Sequence, residues 1–194
     1  MASEDRTITL LRHGETEWSA AHKHTGRTDL ELTPDGEDHA RRAGDSLAGE
    51  RFAHVLCSPL RRATDTCRLA GLGEPELVDD LMEWDYGEAE GRTTAEMAED
   101  VPGWTVWTHP LGQGELVEQV GERADRVVAR LEELDGDVAV VAHGHLLRIL
   151  TARWLELPAV EGRRFVLGTA ALCRLGYERG NRVIERWNDT GHMR

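Results

Sequence analysis

Three short polar segments each follow an apolar run, and each carries residues suited to an oxyanion. They are Arg12-His13-Gly14-Glu15-Thr16, Ser58-Pro59-Leu60-Arg61-Arg62-Ala63 and His143-Gly144-His145. A fourth, Leu81-Met82-Glu83-Trp84-Asp85-Tyr86-Gly87, sets a carboxyl among large aromatics. Breaking a phosphate monoester needs a nucleophile in line with the leaving oxygen, donors for the equatorial oxygens and an acid for the departing alkoxide. A neutral imidazole can be that nucleophile, and no metal is needed where arginines supply the positive charge.

Each feature also has a plainer reading. The Arg-His-Gly triplet serves equally as a structural turn; at a strand-to-helix junction, Gly14 lets backbone approach a ligand and the helix N-terminus favours an anion. His143 and His145 can simply cap a strand, or gather with His13 and Glu83 around zinc, a grouping that nearby arginines oppose. A lone arginine on the first turns of a helix is usually solvated, and Arg61 is expected to be. Glu83 is either a surface glutamate or a carboxyl that its dry surroundings make hold a proton, which suits a general acid.

Positioning these groups is the task of alternating strands and helices. Thr7 to Leu11, Ala53 to Leu56 and Val138 to Ala142 read as short buried strands. Thr33-Pro34 and Ser58-Pro59 read as helix starts, an N-cap followed by proline. Val117, Val120, Ala124, Val127, Val128 and Leu131 trace one face of a long helix ending at Asp135-Gly136, and another helix runs from Gly144 towards Trp154. Ala170 to Tyr177 and Arg182 to Trp187 read as a terminal hairpin. The pattern predicts an α/β fold, a three-layer α/β/α sandwich with a mostly parallel central sheet and its ligand at the strand carboxyl ends. Residues 1–194 read as one domain, with an irregular insertion at about 85–114 covering the site.

The composition narrows the partners. At 40% hydrophobic and 30% charged, the chain is an ordinary globular sequence. A net charge of −13 argues against nucleic acid and anionic membranes as partners, although a local arginine cluster still suits a small anion. Lys23 is the only lysine. Cys57, Cys67 and Cys173, odd in number and widely spaced, match neither a disulfide framework nor a zinc site. No apolar stretch approaches the roughly 20 residues of a membrane span, and a reducing cytoplasm is the expected location.

Taken together, these segments resemble the histidine phosphatase superfamily, in the branch that contains cofactor-dependent phosphoglycerate mutase. The matching features are the Arg-His-Gly-Glu-Thr opening, Thr25-Gly26-Arg27-Thr28-Asp29, and the Ser-Pro-Leu-x-Arg-Ala-x-x-Thr helix. They continue with the Glu-x-x-x-Gly-x-x-x-Gly stretch from Glu83 to Gly91 and the Ala-His-Gly strand end, and all occur in family order. The resemblance implies His13 as nucleophile, Arg12, Arg62 and His143 as ligands of the phosphoryl oxygens with the Gly144 N–H nearby, and Glu83 as proton donor and then acceptor. It implies that Ser19, Thr25 and Gly26 line the pocket mouth; many relatives have Asn where this chain has Ser19. No cofactor or metal is implied. The expected partner is a small phosphate ester, with a homodimer as one option for assembly.

Within the family the sequence favours hydrolysis over phosphoryl return. Family mutases resemble one another in an arginine pair on the insertion, whereas Trp107 to Glu115 contains none. The segments around Glu83-Trp84-Asp85-Tyr86-Gly87 and Gly103 to His109 look like those of small actinobacterial acid phosphatases and fungal sedoheptulose bisphosphatase. A non-catalytic phosphate-binding module is the reading from another class, and the presence of His13, Arg12, Arg62, Glu83 and His143 speaks against it. A neutral His13 and a protonated Glu83 predict a bell-shaped pH dependence with its optimum on the acid side.

Overall fold

Apolar runs far apart in the chain pair into one sheet. Its strands are β1 (Ile8–Arg12), β2 (His54–Cys57), β3 (Glu76–Leu77), β4 (Val138–Ala142), β5 (Leu172–Glu178) and β6 (Asn181–Asp189), in the order β3-β2-β4-β1-β5-β6. The first four run parallel, and β5 is antiparallel to both its neighbours. The structure, a computed structural model, describes residues 6–194.

All five residues of β4 are buried, as a strand covered on both faces requires. Side chains alternate between the faces. Leu10 and Val140 pack with Val127 of α5 (Val117–Glu133) and Leu146 of α6 (Gly144–Trp154). Leu11 and Val141 pack with Ala43 of α2 (Pro34–Ser46) and Cys67 of α3 (Arg61–Leu69). This is the expected three-layer α/β/α sandwich. Its adjacent strands β1 and β4 feed helices that cover opposite faces, and the carboxyl ends of such a strand pair form a crevice. The ladder continues one residue into it: the His13 N–H donates to the Ala142 carbonyl (2.9 Å) and the Ser58 N–H to that of Val141 (3.0 Å).

The helix signals are realised unevenly. Thr33 caps α2, its hydroxyl accepting from the Gly36 N–H at 3.0 Å, with Pro34 in the first turn. Ser58 does not start α3 in the same way. That helix begins after Leu60, and its Arg61 N–H is taken by the Asp29 carboxylate at 2.7 Å. The Arg-His-Gly strand end does not run straight into a long helix either: only four residues, α1 (Glu17–Ala20), follow. Among the described residues, no helix is long and apolar enough to cross a membrane.

The segment expected to be irregular is pinched at a neck, where the Glu115 N–H donates to the Asp85 carbonyl at 2.9 Å. Within it lies a regular helix, α4 (Thr94–Asp100), started by a reciprocal cap between Thr93 and Glu96. That signature, Thr-x-x-Glu, was present in the sequence. Trp104, Val106 and Leu111 anchor the rest of the segment in the core, while Tyr86 and Thr94 reach the crevice wall.

Candidate active site

A cavity of about 700 Å³ opens at the carboxyl end of the sheet, with Arg12, His13, Glu83 and Gly144 on its wall. His13 follows β1 directly, and its Nδ1–H donates to the Gly14 carbonyl at 2.7 Å. The proton is therefore on Nδ1, and Nε2 keeps a free lone pair. Burial holds the His13 pKa well below the usual imidazole range; the Arg62 and Arg12 charges push the same way, against the Gly14 carbonyl.

Gly14 serves a different purpose from the one expected. A Cβ there would lie 2.4 Å from the Gly36 carbonyl oxygen, so the glycine lets the first turn of α2 close onto the strand end. Its N–H is spent on the Thr66 hydroxyl (2.9 Å) rather than offered to a ligand.

Arg62 and His143 have no exposed surface and do not form the cavity wall. Arg62 is fixed by three carbonyls of one loop: Nη1 donates to Thr28 (2.9 Å), and Nη2 to Thr25 (3.1 Å) and Gly26 (2.8 Å). The His143 ring lies 5.1 Å from that of His13, centroid to centroid. Its Nε2 is bonded to the Ser58 hydroxyl at 2.7 Å. With that hydroxyl as donor, His143 carries its proton on Nδ1. Arg12 donates through Nη1 to the Leu167 carbonyl (2.6 Å), and its guanidinium passes beside Gly144, where a Cβ would come within 3.2 Å of it. Among the described residues eight buried side-chain atoms have no hydrogen-bond partner, and three of them, Arg12 Nε, Arg62 Nε and His143 Nδ1, belong to these site residues. Buried donors without acceptors are rare and costly, and the Arg62 and Arg12 charges both bear on His13 and His143, which suits the site to an anion.

Glu83 is buried at the N-terminus of α6. Its Oε1 accepts from the Trp84 and Leu146 N–H groups (both 2.9 Å), and its Oε2 from the His145 N–H (3.0 Å). The backbone that presents it is tied to Arg123 of α5, which donates to the Asp80 (2.7 Å) and Met82 (3.0 Å) carbonyls and pairs with Glu115. Among the described residues, no group of three or more His, Cys, Asp or Glu side chains is arranged to hold a metal ion.

The three residues expected at the mouth separate. Ser19 and Thr25 line the cavity, but Gly26 does not. Gly26 is buried, with no room for a Cβ between the Trp84 carbonyl (2.5 Å) and the Glu90 carboxylate (2.6 Å), and its part is to hold Arg62. The Ser19 hydroxyl accepts from the Thr16 N–H (2.8 Å) and donates to the Thr16 carbonyl (3.0 Å), closing the cap of α1. None of the six tryptophans lines the cavity.

Sequence reasoning passed over several residues that shape the site. The Glu90 carboxylate accepts from the Gly26 and Thr28 N–H groups (both 2.9 Å). The Tyr86 hydroxyl and His145 Nδ1 share a hydrogen bond of 2.5 Å, and burial raises the Tyr86 pKa far above the usual phenol range, which keeps the hydroxyl neutral. His24, Lys23 and Arg148 also line the cavity. Tyr86 and Glu90 lie inside the Glu83 to Gly91 stretch already singled out; His24, Lys23 and Arg148 carried no signal in the sequence.

Residues 8–190 match the histidine phosphatase superfamily (branch 1). The chain is similar to an acid phosphatase of Mycobacterium tuberculosis, at 45% identity over 99% of this chain and 97% of that one. It is similar to sedoheptulose 1,7-bisphosphatase of Saccharomyces cerevisiae, at 35% identity over 76% of this chain and 67% of that one. Its fold superposes on a solved Mycobacterium tuberculosis structure with a TM-score of 0.91, at 46% identity, covering 97% of this chain and 100% of the other. The chain belongs to the histidine phosphatase superfamily, and as an enzyme it is a phosphatase acting on phosphoric monoesters.

Proposed function

We propose that the protein hydrolyses a small phosphorylated metabolite, a sugar phosphate or similar, without a metal, through a phosphohistidine on His13. On substrate binding the fully buried Arg62 and His143 must open to the cavity so that, with Arg12, their unpartnered nitrogens donate to the phosphoryl oxygens, and these nitrogens supply the observation that carries the reading. His13 Nε2 attacks phosphorus and the ester P–O bond breaks. Glu83 passes a proton from Oε2, its less heavily bonded oxygen, to the leaving alkoxide. Water then attacks phosphorus and returns a proton to Glu83, the P–N bond breaks, and inorganic phosphate and neutral His13 are restored.

Hydrolysis is favoured over phosphoryl return by the stretch from Trp107 to Glu115. It holds no arginine and contributes nothing to the cavity wall, so the arginine pair associated with family mutases has no counterpart there. A merely binding role does not explain why His13 keeps an unprotonated, unbonded Nε2 beside those donors. The three cysteines are free and buried, which suits work in a reducing cytoplasm.

The test is phosphate release in EDTA from sugar monophosphates, sugar bisphosphates and phosphoglycerate, with His13→Ala alongside. Release by the wild type alone is expected. Release that EDTA abolishes, or that His13→Ala retains, contradicts the mechanism.

A further inference from the structure

Of the three proposed phosphoryl donors, only Arg12 lines the cavity. Its attachment to the rest of the protein is slender. Among the described residues its guanidinium makes one hydrogen bond, from Nη1 to the Leu167 carbonyl at 2.6 Å. Leu167 sits in an irregular stretch ahead of β5, where no helix or sheet ladder fixes the backbone.

A peptide unit is a rigid plane, so its carbonyl cannot turn without its N–H. The Leu167 carbonyl shares its plane with the Gly168 N–H, and that N–H donates to Asn188 Oδ1 at 2.7 Å. One planar amide therefore runs from Asn188 at one end to Arg12 at the other, and each of its two hydrogen bonds polarises the other. Gly168 has no Cβ to resist rotation of this plane. The neighbouring anchors grip other peptides: the Trp187 indole N–H donates to the Val166 carbonyl (2.6 Å), and the Ala170 N–H to that of His13 (3.0 Å).

β6 is shaped to deliver the asparagine. Leu172 pairs with Asp189 and Arg174 with Arg186, so Cys173 alone faces two residues, Trp187 and Asn188, and the strand bulges. Asn188 takes a φ of +53°, a left-handed conformation that asparagine tolerates better than most side chains. Its own N–H goes to the Cys173 sulfur at 3.3 Å. Such a bulge re-aims a side chain, here towards Gly168 on the cavity wall.

We infer that Asn188 is a positioning residue for the phosphatase reaction: its side-chain oxygen sets the Leu167–Gly168 peptide, and that peptide sets the Arg12 guanidinium for the phosphoryl group. The inference rests on the role proposed for Arg12 above.

The experiment is a double-mutant cycle on kcat/KM, for whichever ester of the panel above is turned over fastest, with Asn188→Gly, Arg12→Ala and the two combined. Glycine keeps the left-handed backbone and removes only the amide. Asn188→Gly is expected to lower kcat/KM about tenfold and to weaken competitive inhibition by inorganic phosphate in parallel. In the Arg12→Ala background the same change should cost less than about twofold, because the group it acts through is gone. A loss that persists undiminished in that background overturns the inference, as does an Asn188→Gly enzyme with the wild-type kcat/KM; both results leave the phosphatase reading intact. If Asn188→Gly does not fold, amide hydrogen exchange in the wild type decides: the Gly168 N–H should be protected, and a freely exchanging one overturns the inference. Unimpaired turnover by Arg12→Ala removes Arg12 from the reaction and this inference with it. No turnover of any ester by the wild type overturns the phosphatase reading as well.

Discussion

Glu90 and Arg62 grip one loop from its two sides. The carboxylate takes the Gly26 and Thr28 amides, while the guanidinium takes the carbonyls of Thr25, Gly26 and Thr28. An arginine with no exposed surface is thus held by neutral carbonyls rather than by a carboxylate, and its charge stays available to a ligand. In the proposed mechanism Glu90 is a positioning residue that acts on the phosphoryl-binding Arg62 through four residues of backbone.

Glu90→Ala should loosen that loop and Arg62 with it. Removing a charged acceptor from two buried amides costs about 1.5–3 kcal/mol, and the part felt at Arg62 should appear as a rise of about tenfold in KM for phosphate esters. Competitive inhibition by inorganic phosphate should weaken in parallel. A variant that melts lower but binds phosphate as the wild type does would show that Glu90 supports the fold alone.

Glu83→Gln should separate substrates by leaving group. An alkyl phosphate needs a proton donor at its departing oxygen, so its turnover should fall by about 10²–10⁴-fold. An aryl phosphate with an acidic phenol leaves without help, so phosphorylation of His13 should stay fast while its hydrolysis slows. Stopped-flow measurement should record a burst of about one phenol per site, the stoichiometry of a covalent intermediate. Equal losses on both ester types and no burst would remove Glu83 from the acid role.

Two buried histidines, His13 and His143, and the half-buried His145 set an acid limit to stability. Burial holds His13, His143 and His145 well below the usual imidazole range, reinforced by Arg62 for the first two and by Arg148 for the third. In the unfolded chain they take up protons near pH 6.5. Their contribution is therefore complete above about pH 6.5 and declines as the pH falls below it, by up to about 1.4 kcal/mol per pH unit for each histidine. The Tm should drop between pH 7 and pH 5, while the neutral form of His13 persists into that range. A Tm that is flat or rising over the same interval would contradict the neutral, buried state.

The sheet and the proposed chemistry are legible in the sequence for different reasons. β1 and β4 are apolar runs ending in polar residues, and that pattern alone places His13 and His143 at one end of the sheet. The roles proposed for Arg12, Arg62 and Glu83 rest on the order of the family motifs. Ser58 and Gly26 were misread because their partners, His143 and Arg62, are distant in sequence: the serine resembled a cap and the glycine a mouth residue. Glu90 and Arg148 gave no local signal at all. One is a glutamate between Ala89 and Gly91, the other an arginine on a helix, and only tertiary contacts distinguish them. The helix α4 was legible through its Thr93–Glu96 cap, and the tryptophans and glycines around it obscured the signal.

The central claim is the covalent bond between phosphorus and His13 Nε2. A radiolabelled phosphate ester, mixed with enzyme and quenched in alkali within milliseconds, should leave label on the peptide that contains His13. That label should be stable in base, lost in acid and absent from His13→Ala. Turnover without labelled protein, or label on any other residue, would contradict the mechanism.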